Sequence, residues 1–317
     1  MSIPALCVLA YVAENFRGQW AWTAFQEEWE ARGEKFDYRQ WIPAPIPSEK
    51  NFAHTPLLKP LFETEYDEDL GTSKPAEPGK HKQARRLFRD LRELEDTPNE
   101  GWEEGQRVDL AGFQESFRKG ASPRKPGEFD KRLKKLLEDN GVTIDDKAEP
   151  PPRVWPRPAK PGEPAEDILQ ALGVFAEDMA ELTRAAKERP RCRFDIKYEA
   201  LLAVEIPHAL ILPNAIYCYS LRAIAHLASD DIEAAFSDVE MGLFLTDCLS
   251  TEPLLHSQLV RASSLGIVLQ AVWEGLALER WNAQQLDLFE KRLAGINLLQ
   301  NLHVTLLYER DSLNAQL

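Results

Sequence analysis

The stretch from Pro213 to Pro253, PNAIYCYSLRAIAHLASDDIEAAFSDVEMGLFLTDCLSTEP, decides the fold class that we predict for this chain. Its first half places apolar residues four, three and four positions apart, which puts them on one face of a helix. Pro213 suits the first turn of that helix, where its missing N–H needs no partner. The predicted inward stripe is Tyr217, Leu221, Ile224 and Ala228.

A second helix is predicted to begin within residues 229–233. Asp230, with Glu233 three residues later, matches a capping box, and acidic residues favour the amino terminus of a helix. Capping accounts for these two carboxylates and for Asp231 more simply than acid–base catalysis would. The predicted inward stripe is Ile232, Phe236, Val239 and Leu243.

Three more helices follow with short connections, so the predicted fold is mainly α, an antiparallel helical array. The third begins near residues 250–253, and Gly266 within it would allow a neighbouring backbone to approach closely. Asn282 and Gln285 match the cap of the fourth. The predicted inward residues are Leu255, Leu259, Ala262, Gly266, Leu269, Trp273 and Leu276, then Leu286, Phe289 and Leu293, then Leu299, Leu302 and Leu306.

Residues 221–253 resemble a tetratricopeptide-type helical hairpin. The residues that carry the resemblance are Leu221, Ala223, His226-Leu227, Asp230-Asp231, Ala234-Ala235-Phe236, Leu243 and Pro253. Ser229-Asp230 stands where that family usually has a small turn residue such as Gly, and the helix after Pro253 exceeds a repeat of about 34 residues. The resemblance therefore implies one repeat-like hairpin and not an array.

Composition and patterning predict three regions in the 317 residues. They are an amino-terminal helix with a Pro-rich arm (1–62), a charged, partly ordered linker with short helices (63–163) and an α-helical core domain (164–317). The net charge of −14 argues against a general nucleic-acid binder, because a phosphate backbone would be repelled.

The chain opens with an apolar run from Ile3 to Ala13. A membrane-spanning helix needs about 20 apolar residues, so this run alone is too short. It also lacks a preceding basic region and a clear cleavage site. Two interpretations stay open: the tail of an anchor that starts upstream of Met1, and the first turns of a soluble or interfacial helix. The protein is accordingly expected to be either cytoplasmic or membrane-associated.

A Trp-rich helix is predicted for Ala13–Arg32, with Gly33 ending it. The Pro-rich arm up to Phe62 is expected to dock on the core or to wait for a partner, and docking is the commoner outcome. Its motif Pro43-x-Pro45-x-Pro47 favours polyproline II. The broad apolar face of the Trp-rich helix consists of Phe16, Trp20, Thr23, Ala24 and Trp29.

Three short helices are predicted in the linker, at Lys80–Leu94, Val108–Phe117 and Phe129–Leu137. The first and the last are locally basic, which favours a solvated face over contact with a membrane or an acidic partner. After the linker, Ile168–Ala186 has a strong helical period. Arg189–Tyr198 is then predicted to be extended, and Leu201–Leu212 an apolar connection that Pro207 breaks.

The sequence resembles an uncharacterised bacterial family of helical proteins. The resemblance rests on Ala31-Arg32-Gly33-Glu34, Pro43-x-Pro45-x-Pro47, Asn51-Phe52-Ala53, Arg189-Pro190-Arg191-Cys192-Arg193-Phe194 and the helical region after them. It implies no known activity. Members of that family often have a single membrane-spanning helix before the Trp-rich segment, whereas this sequence has only a short apolar start.

No sequence motif for nucleotide binding, serine hydrolysis or zinc binding is present. The nearest approach to metal-ligand spacing is Glu205-x-x-His208 with Glu252-x-x-x-His256, and Pro207 disfavours the helix that would aim the first pair. His208 is expected to bond a backbone group, and His226 to lie near a helix end. We therefore predict no catalytic residue, no cofactor and no metal.

The four cysteines are too few and too scattered for a disulfide framework. Two of them, Cys218 and Cys248, lie in amphipathic helices and are expected to be free, buried thiols. The other two are Cys7 and Cys192.

Three function hypotheses follow. The first is a non-enzymatic interaction or scaffold protein with a protein or peptide partner, with membrane tethering left open. The second is an enzyme or metalloprotein of unfamiliar type that uses Glu205, His208 and His256. The third is a peripheral membrane protein that uses Ile3–Val12 and the basic helix at Lys80–Leu94.

Overall fold

The computed structural model describes residues 3–67, 72–82, 84, 101–119 and 159–315. Within these ranges the protein is mainly helical, as predicted, and has one short antiparallel β-hairpin. The helices are α1 Ile3–Glu30, α2 Leu110–Lys119, α3 Pro164–Leu172, α4 Ala176–Glu188, α5 Pro207–Ala228, α6 Ile232–Asp247, α7 Leu255–Ala277, α8 Ala283–Ala294 and α9 Leu298–Asn314, and the strands are β1 Thr64–Asp67 and β2 Thr72–Pro75.

Helix α5 lies at the centre of the fold and packs against α3, α6 and α7. Its apolar residues are buried on several faces, among them Leu212, Ile216 and Ala225. A helix that is apolar on most sides is stable in water only when neighbours cover it, which explains why three helices surround α5. The main hydrophobic cluster is built around this helix.

The start predicted for α5 is wrong by about two turns. The helix begins at Pro207, which occupies the first turn, and Pro213 lies inside it. Ala209 and Leu212, in the added turns, are buried. An interior proline forfeits one backbone hydrogen bond, and the burial of these apolar residues offsets that loss.

The predicted cap of α6 is wrong by one residue. Asp231 is the cap, and its carboxylate accepts a hydrogen bond from the Ala234 N–H at 3.2 Å. Asp230 has a φ of +66°, a left-handed conformation that usually favours glycine, at the turn where the tetratricopeptide pattern has its small residue. The cap predicted for α8 is confirmed, because Asn282 and Gln285 form a reciprocal capping box.

Helix α7 faces the body with a different side from the predicted one. Leu259 is 60% exposed, and Leu255 and Leu276 are also exposed. The buried face is rich in polar residues: Ser257, Gln258, Arg261, Ser264, Gln270 and Glu274. Both stripes have helical spacing, so periodicity alone does not tell which one packs inward.

Hydrogen bonds to other parts of the chain satisfy some of the polar groups that α7 buries. The Gln258 side chain donates to the carbonyls of Leu249 and Glu252, at 2.9 and 2.7 Å. The buried Glu274 carboxylate accepts from the Arg107 guanidinium at 2.8 Å and from the Val108 N–H at 2.6 Å. The linker and the α6–α7 turn thus satisfy polar groups that would otherwise be costly to bury.

Helix α9 also buries several polar residues. Leu299 is 80% exposed and Leu306 is also exposed, although both were predicted to point inward. The buried residues are Thr305, Tyr308, Asp311 and Ser312. In α8 the prediction holds for Phe289, which is buried, whereas Leu286 is exposed.

The predicted close approach at Gly266 is also wrong. Apart from the chain neighbours and the helix backbone of Gly266 itself, no atom lies within 4 Å of a Cβ placed on this residue. The close contact is at Gly275, where a Cβ would lie 2.1 Å from the Trp281 ring. The Trp281 indole N–H donates to the Val272 carbonyl at 2.8 Å, which fixes the ring against α7.

The Pro-rich arm docks on the helical body. Phe52 and Leu58 are fully buried in the main hydrophobic cluster. Asn51 forms a bridge to Arg191, and its side-chain amide donates to the Arg193 carbonyl at 2.7 Å. Of the two outcomes left open for the arm, docking is the one observed.

The linker is only partly covered by the described residues. The predicted helix at Val108–Phe117 corresponds to α2, whereas the β1–β2 hairpin was not predicted. Most of Lys80–Leu94 and all of Phe129–Leu137 lie outside the described residues. The predicted helical region at Ile168–Ala186 is present but is divided into α3 and α4 by a 3-10 turn.

Candidate functional site

The most unusual surface of the protein is the first half of α1. All six residues from Cys7 to Val12 are exposed, and Tyr11 is 75% exposed. Consecutive helical residues are about 100° apart, so six of them cover every side of the helix. The exposed apolar segment, Cys7–Val12, is therefore uncovered on all sides.

The second half of α1 carries the contacts with the rest of the protein. Trp22 and Phe25 stack at 5.5 Å between ring centroids, and Phe25 lies 5.8 Å from Trp29. Phe36, after the helix, meets Trp22 edge-on at 5.7 Å. We call Trp22, Phe25, Trp29 and Phe36 the aromatic base of α1. A shallow hollow of about 360 Å³ opens beside it.

Arg310 of α9 holds the aromatic base against the body. Its guanidinium lies over the Phe36 ring at 4.8 Å and donates to Glu34 at 3.1 Å. A second donation goes to the Asp311 carboxylate at 2.8 Å. The same buried carboxylate accepts from the Trp41 indole N–H at 2.8 Å, so the chain is fixed on both sides of Tyr38. These contacts fix the point from which α1 extends.

The first part of α1 has few charged residues, and the residues near its end are acidic. Residues 3–26 contain one acidic and one basic side chain, Glu14 and Arg17. Two hydrogen bonds of 2.6 Å join them and lower the pKa of the Glu14 carboxyl. Because both side chains are exposed, the pair adds little stability, but it leaves this part of the helix without net charge.

The exposed apolar segment is short compared with a bilayer. In the part of the chain that the structure describes, no helix is both long enough and apolar enough to cross a membrane.

The predicted metal-ligand residues are not brought together. His208 is fully buried in the first turn of α5, and its Nε2 lies 2.9 Å from Oε2 of Glu252 in hydrogen-bonding geometry and 2.7 Å from Oε1. Glu205 and His256 are exposed. Among the described residues, no group of three or more His, Cys, Asp or Glu side chains could hold a metal ion.

The surroundings of His208 point to a structural role. Its ring stacks on Phe194 at 4.0 Å, and Phe62 lies 5.6 Å away on another side. The His208–Glu252 pair therefore joins the start of α5 to the α6–α7 turn beneath the docked arm. His208 bonds a carboxylate and not a backbone group, contrary to prediction, because Pro207 starts the helix earlier than expected.

A second charged pair, in which Asp238 is buried and Arg222 is partly buried, joins α5 to α6. The Arg222 guanidinium donates to both carboxylate oxygens of Asp238, one at 2.7 Å. Burial raises the pKa of Asp238, and the hydrogen bonds from Arg222 oppose that effect. His226 lies next to the pair, with Nε2 4.0 Å from Asp238, and burial lowers its pKa. The pair links the two helices of the hairpin, and the polar groups of its two side chains bond to each other.

The carboxylates at the α5–α6 turn have separate structural partners. Asp231 caps α6, Asp230 pairs with Arg280 at 2.7 Å, and Glu233 accepts from Gln285 at 3.2 Å. The structure thus supports capping and cross-linking roles for these residues. It does not group them as an acid–base pair.

Sequence reasoning did not identify the aromatic base as a unit. The sequence shows the Trp and Phe residues of α1, but Phe36 and Arg310 contact them only in the folded chain. A signal was present in the spacing of Trp22, Phe25 and Trp29, which are three and four positions apart and so share a helical face. The face predicted instead included Phe16 and Trp20, which are exposed.

Comparison of the chain with protein-family models, curated proteins and solved structures finds no match. The resemblance to an uncharacterised bacterial family therefore stays a prediction.

Proposed function

We propose that the protein is a non-enzymatic scaffold that attaches to a lipid bilayer through the exposed apolar segment of α1. The observation that carries this proposal is the exposure of Cys7–Val12 on every side of the helix. Burying one large apolar side chain is favourable by about 1.5–3 kcal/mol. Transfer of several such side chains out of water is therefore strongly favourable.

A bilayer fits this segment better than a protein groove does. A helix that lies in a groove needs one apolar face, and its opposite face stays polar. The segment is apolar on all sides, which suits a surrounding that is apolar on all sides. The net charge of −14 disfavours attraction to anionic lipid. Burial of apolar side chains must therefore supply most of the binding free energy.

The length of the segment sets the depth of insertion. Residues 3–12 span about 15 Å as a helix, which is about half of a hydrocarbon core of ~30 Å. Insertion of this length of helix would place Glu14 and Arg17 near the headgroups. Trp20 and Trp22 would follow in the interfacial zone, where tryptophan is favoured.

The helical body supplies the scaffold part of the proposal. Its α5–α6 hairpin is antiparallel and packs against α7, which supports a tetratricopeptide-like role with a protein or peptide partner. The enzyme or metalloprotein hypothesis has no comparable support, because Glu205 and His256 lie on the surface and His208 is engaged by Glu252.

Vesicle flotation of the full chain tests the lipid contact. We expect the protein to float with phosphatidylcholine vesicles, and Leu9→Glu to reduce the bound fraction at least about tenfold, because a carboxylate is costly in the hydrocarbon region. Leu299→Glu is the matched control, since Leu299 is 80% exposed on α9, and it should float like the unaltered protein. Adding phosphatidylserine should not strengthen binding.

Three results would contradict the proposal. One is absence of flotation of the unaltered chain. Another is equal flotation of the two variants, which would place the lipid contact elsewhere. The third is a lipid-free oligomer, measured by light scattering, that Leu9→Glu dissociates while vesicles bind neither form, which would identify a second copy of the chain as the occupant.

A further inference from the structure

Three polar side chains form a hydrogen-bonded chain where the Pro-rich arm docks on the body. Nδ1 of His54 lies 2.9 Å from the Ser48 hydroxyl oxygen, and Nε2 lies 2.7 Å from Oδ2 of Asp195. Ser48 and His54 belong to the arm, whereas Asp195 belongs to the segment that precedes α5. A nucleophile, a base and a carboxylate in this order are the arrangement that activates serine hydroxyl groups.

Contacts of the arm fix the position of the His54 ring. Phe52, two residues earlier, is fully buried in the main hydrophobic cluster, and the His54 carbonyl accepts from the Arg189 guanidinium at 2.6 Å. The His54 side chain is only 17% exposed, so its ring is largely confined. A base that is already held in place needs little further ordering when a reaction begins.

The two groups that flank the ring have different surroundings. Asp195 follows the fully buried Phe194, and its Oδ1 lies 3.6 Å from the Arg193 guanidinium. Ser48 is exposed, so a molecule in solution can approach its hydroxyl group. The chain of hydrogen bonds is thus anchored at the carboxylate and open at the nucleophile.

The carboxylate determines which ring nitrogen is free to act as a base. An ionised carboxylate only accepts hydrogen bonds, so Nε2 of the neutral imidazole carries the hydrogen that Asp195 accepts. Nδ1 then has a lone pair, which accepts the Ser48 O–H. In the common serine hydrolases the two ring nitrogens have the opposite roles. The requirement is the same, because a lone pair faces the hydroxyl and a carboxylate holds the other nitrogen.

We propose that Ser48 is an acylation site that takes the acyl group of an activated ester. The Ser48 oxygen attacks the ester carbonyl carbon while the hydroxyl proton passes to Nδ1 of His54. The bond between the carbonyl carbon and the leaving oxygen then breaks, and the leaving group takes the proton from Nδ1. The products are an O-acyl serine and a free alcohol, with no change in oxidation state. Asp195 stabilises the imidazolium that forms between the two steps.

Acylation of Ser48 is a single covalent modification, so it is compatible with a non-enzymatic scaffold. It does not depend on lipid binding, because none of the three side chains belongs to α1. The alternative is that these hydrogen bonds only hold the arm on the body. That role would leave Ser48 no more reactive than another exposed serine, such as Ser237 of α6.

Labelling of the full chain with p-nitrophenyl acetate tests the proposal, at a pH above the ordinary histidine pKa of about 6.5. We expect a fast release of one p-nitrophenolate per chain and, after digestion, an acetylated peptide that contains Ser48. His54→Gln should slow the labelling about a hundredfold, because a positioned base contributes at least that much. Asp195→Asn should also slow it, because an amide can donate to Nε2 and so place the imidazole hydrogen on Nδ1. Ser237→Ala is the matched control and should be labelled like the unaltered protein.

Three results would overturn the inference. The acetyl group could be found on other residues, such as Lys50, and not on Ser48. Ser48→Ala could release p-nitrophenolate as fast as the unaltered chain. His54→Gln and Asp195→Asn could both be labelled at the unaltered rate, which would show that the histidine and the carboxylate only hold the arm. Thermal melting shows whether each variant is folded. If His54→Gln does not fold, Asp195→Asn decides the case, because the Asp195 side chain is 55% exposed.

Discussion

Helices α1 and α5 are both long and mostly apolar, yet they have opposite surroundings. α5 has 22 residues and is buried on several faces by α3, α6 and α7. α1 has 28 residues, and residues 7–20 of it are exposed. Apolar composition therefore predicts that a helix must be shielded from water, but it does not predict which surface shields it. For α5 the cover is this chain itself; for α1 we propose a bilayer.

The largest expected difference in stability is between loss of the Arg222–Asp238 pair of α5 and loss of the exposed Glu14–Arg17 pair of α1. Asp238→Ala leaves the partly buried Arg222 guanidinium without its carboxylate, and we expect a loss of about 3 kcal/mol in the free energy of unfolding, the lower end of the cost of breaking a buried pair. Arg17→Ala removes the exposed partner of Glu14 and should leave the free energy of unfolding almost unchanged, because water screens an exposed pair. Urea denaturation measures both. Equal losses would mean that α1 is packed in solution.

The second comparison uses one leucine from each helix. Leu212 in α5 is fully buried, and Leu212→Ala should cost about 2–5 kcal/mol, because it removes apolar contacts and leaves a cavity. Leu9 in α1 is 56% exposed, and Leu9→Ala should change stability by less than about 0.5 kcal/mol in the absence of lipid. A large effect of Leu9→Ala on lipid-free protein would show that the exposed apolar segment is covered by another part of the chain.

The smallest expected effect concerns pH and His226 at the end of α5. Burial lowers its folded-state pKa, whereas Asp238 and Asp231, 4.0 and 3.7 Å away, oppose that shift, and Arg222 adds to it. The unfolded chain then binds a proton more readily than the folded protein. The resulting stability is fully present above the ordinary histidine pKa of about 6.5 and is lost as pH falls through the folded-state value.

Urea midpoints at pH 7.5 and pH 5.5 measure this effect. His226→Gln should show a smaller drop between the two pH values than the unaltered protein does, because the glutamine cannot take up a proton. Asp238 titrates in both proteins, and its pKa depends more on burial and on Arg222 than on His226. A larger drop in His226→Gln would mean that the carboxylates, and not burial, control this histidine.

Several local features were predictable from short stretches of sequence. The Asn282–Gln285 box was found because capping depends on residues three positions apart. The cap of α6 was missed by one residue, since Asp230 and Asp231 are both good caps and only the turn geometry selects one. The start of α5 was missed because Pro207 and Pro213 both suit a first turn.

The inward faces of α7 and α9 were not predictable in the same way. Each helix has a continuous apolar stripe, which is the ordinary choice for the core, but the face that α7 buries mixes polar residues with Leu265, Val268 and Val272. Here Glu274 and Gln258 are buried because Arg107, Val108 and the α6–α7 turn provide their hydrogen bonds. Those partners are distant in sequence, so local patterning does not reveal them.

The sequence by itself determined the helical fold class, the apolar start of α1 and the position of the α5–α6 turn. These features depend on local periodicity, capping and composition. Tertiary structure alone decided which faces of α7 and α9 are buried and that His208 pairs with Glu252. Each of these depends on contacts between distant segments, and burial of a polar group is favourable only where the fold supplies its partner.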